Sequence, residues 1–130
     1  MSSQNITIDP KGRVLIPNSF REILGIKPGE NLVAELDKEN SRIILFPIEK
    51  KSKRMQIFLS DVPGVLSKAA AILARNKVDL VYSASRSLKR KKEAEWEIIA
   101  DFSNTDLQKL QNELKKEPSI RKFKIGRIEQ

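Results

Sequence analysis

Apolar and polar residues change period several times along the chain, and each change marks an element. Ile6, Ile8, Val14 and Ile16 alternate with polar neighbours on either side of Asp9-Pro10-Lys11-Gly12. That Pro and Gly placement is the signature of a tight turn, so a β-hairpin is predicted. Pro17 stops its second strand. Ser19 and Glu22 then stand at capping-box spacing, in which Ser19 bonds the backbone three residues on and Glu22 reaches back. A two-turn helix follows, with Phe20, Ile23 and Leu24 on one face and Gly25 as its left-handed C-terminal residue. Beyond the turn at Lys27-Pro28-Gly29-Glu30, Leu32, Ala34 and Leu36 alternate, residues 37–41 turn back, and Ile43 to Phe46, apolar on both faces, form a last strand. The order β-β-α-β-β fits in fewer than fifty residues.

A second patterned region runs from residue 55 to residue 130. Met55 to Ser60 reads as a strand, and Asp61-Val62-Pro63-Gly64-Val65-Leu66 turns into a helix with Val65, Leu66, Ala69, Ile72 and Leu73 at 3.6-residue spacing, ending near Asn76. Val78, Leu80 and Tyr82 alternate in a second strand, Leu88 to Glu93 makes a charged turn, and Ala94, Trp96, Ile98, Ala100 and Phe102 alternate in a third. Asn104 or Thr105 is expected to cap a helix with Leu107, Leu110 and Leu114 on one stripe; Pro118 ends it, and Ile120, Phe123 and Ile125 lie in a last strand. This β-α-β-β-α-β order packs two helices on one face of a four-stranded antiparallel sheet, the ferredoxin-like arrangement. The fold class is therefore α+β.

Charge divides the chain in the same place. The 130 residues carry 25 Lys plus Arg against 17 Asp plus Glu, a formal net charge of +8. Residues 1–49 hold six basic and seven acidic side chains, the run from Lys50 to Arg54 holds four basic residues and Ser52, and residues 55–130 hold fifteen basic against ten acidic. We read 1–49 as one domain, 50–54 as a basic linker and 55–130 as a second domain. Such a balance favours a polyanionic partner. His and Cys are both absent. This excludes thiol chemistry, disulfide scaffolds, zinc fingers and Ser-His-Asp hydrolysis, leaves no convincing metal site, and argues against an enzyme and against a resident cofactor. No apolar stretch reaches the length of a membrane helix and none near the start resembles a leader, so a soluble, cytoplasmic protein without a membrane partner is expected.

A fifty-residue segment with no Cys or His buries too little apolar surface to hold itself together, and a second chain is the available remedy. The stretch ITIDPKGRVLIPNSFREILGIKPGE at 6–30, continuing to RIILFP at 42–47, resembles the AbrB/SpoVT/MazE family of swapped-hairpin DNA-binding domains. The resemblance rests on Gly12-Arg13, Ile16-Pro17, Arg21, Leu24-Gly25-Ile26 and Gly29. It implies a dimeric β-barrel interlaced from two chains, with Arg13 and Arg21 at positions that match the family's DNA-contacting arginines; Lys11, in the turn, is a further candidate by its proximity to them alone. Glu22 and Ile6 stand where some relatives carry basic residues.

The loop Asp61-x-Pro63-Gly64-x-Leu66 after the strand of the second region resembles the ACT domain, a small regulatory module that commonly binds an amino acid. The resemblance implies a ligand held by Asp61, Val62, Pro63, Gly64, Val65 and Leu66 against a neighbouring protomer's sheet edge. Amides at the start of the helix suit a carboxylate, and Asp61 suits an α-ammonium group. The plainer reading of the same loop makes Asp61 an N-cap, Pro63 a first-turn residue and Val65 and Leu66 core. Asn76-Lys77 replaces a glycine usual after that helix, Asn tolerating the left-handed conformation.

Glu93, Glu95 and Glu97 read as a solvated strand face, Lys89 to Lys92 as a soluble hairpin tip with a secondary reading as a phosphate contact, and Trp96 as core or interface. Together these features predict a DNA-binding transcriptional regulator, a homodimer or higher homo-oligomer, whose binding to double-stranded DNA is modulated by a small effector, an amino acid. An antitoxin of a toxin–antitoxin pair and a regulatory subunit of an amino-acid biosynthetic enzyme are the alternatives.

Overall fold

The structure is a computed structural model that describes residues 2–49, 51–90 and 92–128. The chain forms two compact units, residues 1–48 and 49–130.

In the first unit, helix α1 spans Asn18–Leu24, and strands β1 (Leu32–Asp37) and β2 (Arg42–Pro47) pair antiparallel, with Val33 opposite Phe46 and Leu36 opposite Ile43. The capping box does not form. Pro17 is the N-cap and its carbonyl accepts the amides of Phe20 and Arg21 at 3.0 and 3.1 Å, while Glu22 takes its bond from the Asn18 side chain at 3.0 Å. The helix starts two residues earlier than a cap at Ser19 requires because proline's fixed φ already suits a helix entry. Its end is as expected: Gly25 is left-handed at φ 68°, with the amides of Gly25 and Ile26 returning to the carbonyls of Glu22 and Arg21, the Schellman pair.

The predicted first hairpin is reduced to its turn. Asp9 and Arg13 are joined by a backbone bond of 2.9 Å, yet no strand is assigned among residues 2–17, because two short arms do not sustain an isolated ladder. The alternation in β1 is also reversed. Val33 is buried, whereas Leu36, Ile43 and Leu45 on the opposite face are 75%, 69% and 44% exposed, since no element of the same unit covers them.

In the second unit, β3 (Ser52–Leu59), α2 (Val65–Arg75), β4 (Asp79–Lys89), β5 (Glu93–Asp101), α3 (Leu107–Lys116) and β6 (Ile120–Gly126) follow the β-α-β-β-α-β order. The sheet runs β4-β5-β3-β6, every pair antiparallel. Met55, Ile57, Trp96 and Ile98 from the two central strands meet Ala69 and Leu73 of α2 and Leu110 and Leu114 of α3 in one core. Alternating strand positions and the helical stripe converge because both periods present one apolar face to the same layer.

Several local expectations change. The basic run is mostly strand: Ser52, Lys53 and Arg54 open β3, and Lys51 pairs with Asp101 at 3.4 Å, while Lys50 lies outside the described residues. Asp106, not Asn104 or Thr105, caps α3, accepting the amides of Gln108 and Lys109 at 3.1 and 3.2 Å. After α2 the left-handed residue is Lys77, at φ 59°; Asn76 is buried and donates its side-chain amide to the Ile72 carbonyl at 2.8 Å. Glu95 is not solvated. It lies buried on the helix-free face, where Gln56 donates to it at 2.8 Å and Arg86 pairs with it at 2.9 Å, while Arg54 pairs with Glu97. The charges therefore brace the sheet across three strands.

Candidate functional site

In the first unit the exposed turn is organised by one carboxylate. Asp9 accepts the amides of Lys11 and Arg13, each at 2.9 Å, and pairs with the Arg13 guanidinium at 2.7 Å. Gly12, at φ 80°, supplies the left-handed residue that closes the turn. The Arg13 amide, reinforced by its guanidinium, holds the Asp9 carboxyl below its ordinary value of 3.8. Lys11 and Arg13 thus project from one anchored tip, with the Arg13 side chain 72% exposed. Arg21 sits on α1, half-buried, its Nε donating to the Ile16 carbonyl at 3.1 Å. That bond ties helix to incoming chain and presents the rest of the guanidinium.

In the second unit the loop before α2 forms one wall of a cavity of about 200 Å³, whose other walls come from β4 and β5. Asp61, Val62 and Leu66 line it; Pro63 and Gly64 are exposed in the turn, and Val65 packs into the core. Gly64, at φ 88°, is the N-cap of α2, so Asp61 is not. Instead its carboxylate accepts the Ser87 hydroxyl at 2.7 Å, tying the loop to the edge strand β4. Leu66 is 39% exposed rather than core, because the cavity takes the place of packing around it.

Ser85 and Ser87 also line the cavity and the pattern did not single them out, and Trp96, read from the sequence as core or interface, is a third wall. Their signal is in the sequence. Ser83, Ser85 and Ser87 alternate on the helix-side face of β4, opposite Ile98, Trp96 and Ala94, where a packed core would ask for apolar side chains. Small hydroxyls there leave space and offer hydrogen bonds, while Trp96 and Leu66 supply apolar walls, which is the composition of a small-molecule site. The Asp61 carboxylate on this wall carries a charge that suits an ammonium group, while the Val65 amide that opens α2 is taken by the Val62 carbonyl at 3.2 Å. A wider cleft of about 480 Å³ between α2 and α3 is solvated and bridged by Arg75 and Glu113 at 3.1 Å. Among the described residues no cluster of acidic side chains is arranged to hold a metal, and no helix is long and apolar enough to cross a membrane.

A four-stranded antiparallel sheet with two helices on one face and a cavity at the loop after its first strand defines a small α+β module of the ferredoxin-like arrangement. Residues 53–119 match the ACT domain model, just over half of the chain, and the chain belongs to the ACT domain family. Residues 6–54 match the model described as antidote-toxin recognition MazE, bacterial antitoxin. A relative, the transcriptional regulator MraZ of Shewanella woodyi, is 38% identical over 48 residues, covering 37% of this chain and 32% of that protein. The chain thus spans about a third of the length of that curated relative.

Proposed function

We propose that the protein is a cytoplasmic DNA-binding transcriptional regulator, not an enzyme, in which the first unit joins a second copy as a swapped-hairpin barrel and the ACT unit binds an amino-acid effector. The observation that carries the assembly is the state of the first unit. Among its described residues Val33 alone is buried, while Ile8, Leu15, Ile23, Leu36 and Ile43 are each more than 60% exposed. A unit this apolar outside and this empty inside needs its core from another chain, and interlaced hairpins supply it while giving the 2–17 arms strand partners. A twofold then presents Lys11, Arg13 and Arg21 twice toward a duplex. The effector reading rests on the cavity, where Asp61 takes the ammonium group and Ser85 and Ser87 add hydroxyls; Pro63, Gly64 and Val65 hold the loop. An effector acts only through different affinity for two arrangements of the assembly.

The MazE match keeps an antitoxin as the second reading. Against it, residues 52–126 form a packed domain with its own core rather than a disordered toxin-binding tail. The test is anisotropy binding to the duplex upstream of the protein's own gene and to a scrambled duplex, with and without the twenty amino acids. Preference for the first duplex that shifts with the amino acids, is lost in Arg13→Ala/Arg21→Ala, and comes with a dimer in sedimentation supports the reading. Equal binding to both duplexes, unmoved by amino acids, overturns it.

A further inference from the structure

One cluster of the cations that the two candidate sites leave unused lies at the β4–β5 turn and the start of β6. Residues 1–48 hold six basic and six acidic side chains, so the remaining nineteen basic and eleven acidic, and the whole surplus of +8, belong to residues 49–130. Affinity for a duplex comes largely from phosphate neutralisation. A first unit of zero net charge supplies little of it beyond Lys11, Arg13 and Arg21, and Arg13 already shares its charge with Asp9.

Lys89, Arg90 and Lys92 are exposed in the turn, which is closed by the Lys92 amide donating to the Lys89 carbonyl at 2.9 Å. Arg121, at the start of β6, donates to the Lys92 carbonyl at 3.0 Å, and Lys122 lies 4.5 Å from the centre of the Phe58 ring. Among the described residues, none of these five cations forms an ion pair. The patch is held rather than loose: the Lys92 carbonyl also accepts the Asp61 amide at 3.4 Å. Three cations on a braced turn and two at the start of β6, none in an ion pair and without the buried aromatic anchors on which protein interfaces depend, match a partner with closely and regularly spaced charge.

We infer that Lys89, Arg90, Lys92, Arg121 and Lys122 form a second DNA contact, to the phosphate backbone and without base readout, that supplies electrostatic affinity the first unit lacks. This rests on the DNA-binding reading above. Backbone contacts position a protein on a duplex but do not select sequence. The patch therefore sets affinity and salt dependence, while Arg13 and Arg21 set preference.

The test is the salt dependence of binding, on the upstream and the scrambled duplex, for the wild-type chain, Lys89→Gln/Arg90→Gln/Lys92→Gln, and Lys89→Arg/Lys92→Arg. Each phosphate contact steepens log K against log salt by about 0.9. The Gln variant is expected to be shallower by about two to three for each engaged protomer, so that between about 50 and about 200 mM salt it loses about 40-fold less affinity than wild type. The ratio of the two duplexes should stay constant, and the Arg variant should keep the wild-type slope. A Gln variant with an unchanged slope, or one whose duplex ratio collapses, overturns the backbone assignment. Failure of the wild-type chain to bind either duplex overturns the regulator reading itself and this inference with it.

Discussion

Asp9 anchors the exposed tip of the first unit, and its position makes a prediction with a sign. The carboxylate sits beside Arg13, so on charge alone removing it should strengthen attraction to DNA. It also holds the turn through the amides of Lys11 and Arg13. Hydrogen bonds to a charged acceptor are worth more than ordinary ones. Asp9→Ala is therefore expected to weaken duplex binding by about tenfold in anisotropy, one decade for each ~1.4 kcal/mol of lost organisation. Tighter binding would show that the turn holds without its anchor. The turn was legible in Asp9-Pro10-Lys11-Gly12 because turn chemistry is local. The pair of hydrogen bonds that Arg13 donates to Asp9, from its amide and its guanidinium, was not, since spacing does not say which side chain folds back.

Among the elements, α3 separates local propensity from tertiary choice. Asn104, Thr105 and Asp106 all suit an N-cap, and the pattern favoured the earlier two. The structure uses Asp106, because Phe102 is committed to the core and the Thr105 amide turns back to its carbonyl at 3.0 Å, which delays the helix. Asp106→Ala should then cost about 1 kcal/mol in chemical denaturation, with Thr105→Ala near neutral. The reverse order would return the cap to Thr105. Elements with a strong period, such as the Leu107, Leu110 and Leu114 stripe, were legible as they stand. The strand face of Glu93, Glu95 and Glu97 misled, because alternation says that residues share a face and not whether Arg86 and Gln56 close over it.

At the scale of the whole molecule, ionisation predicts a long flat stability profile. The chain has no histidine. Asp9, Asp37, Asp101, Glu113 and Glu117 are held below their ordinary values, Asp9 chiefly by the Arg13 amide, Asp37 by Asn40, Asp101 and Glu117 by Ser103 and Ser119, and Glu113 by Arg75. Lowered carboxylates contribute stability that is present above the unfolded value and lost as pH falls through the folded one. Lys51 is raised, chiefly by its bond to Asp101, so its contribution is present below its unfolded value and lost at high pH. Denaturation midpoints should be level between about pH 5 and about pH 9 and fall below about pH 4. A transition near pH 6.5 would contradict this. The sequence by itself determined the order of elements in the second unit, the contrast in charge between the two halves, and the loop and turn motifs, because periodicity, Pro and Gly placement and charge are local properties. Only the tertiary structure decided which face of β1 is covered, that Ser85, Ser87 and Trp96 enclose a cavity with Asp61, and that Glu95 is buried, because each depends on segments distant in the chain meeting in a particular register.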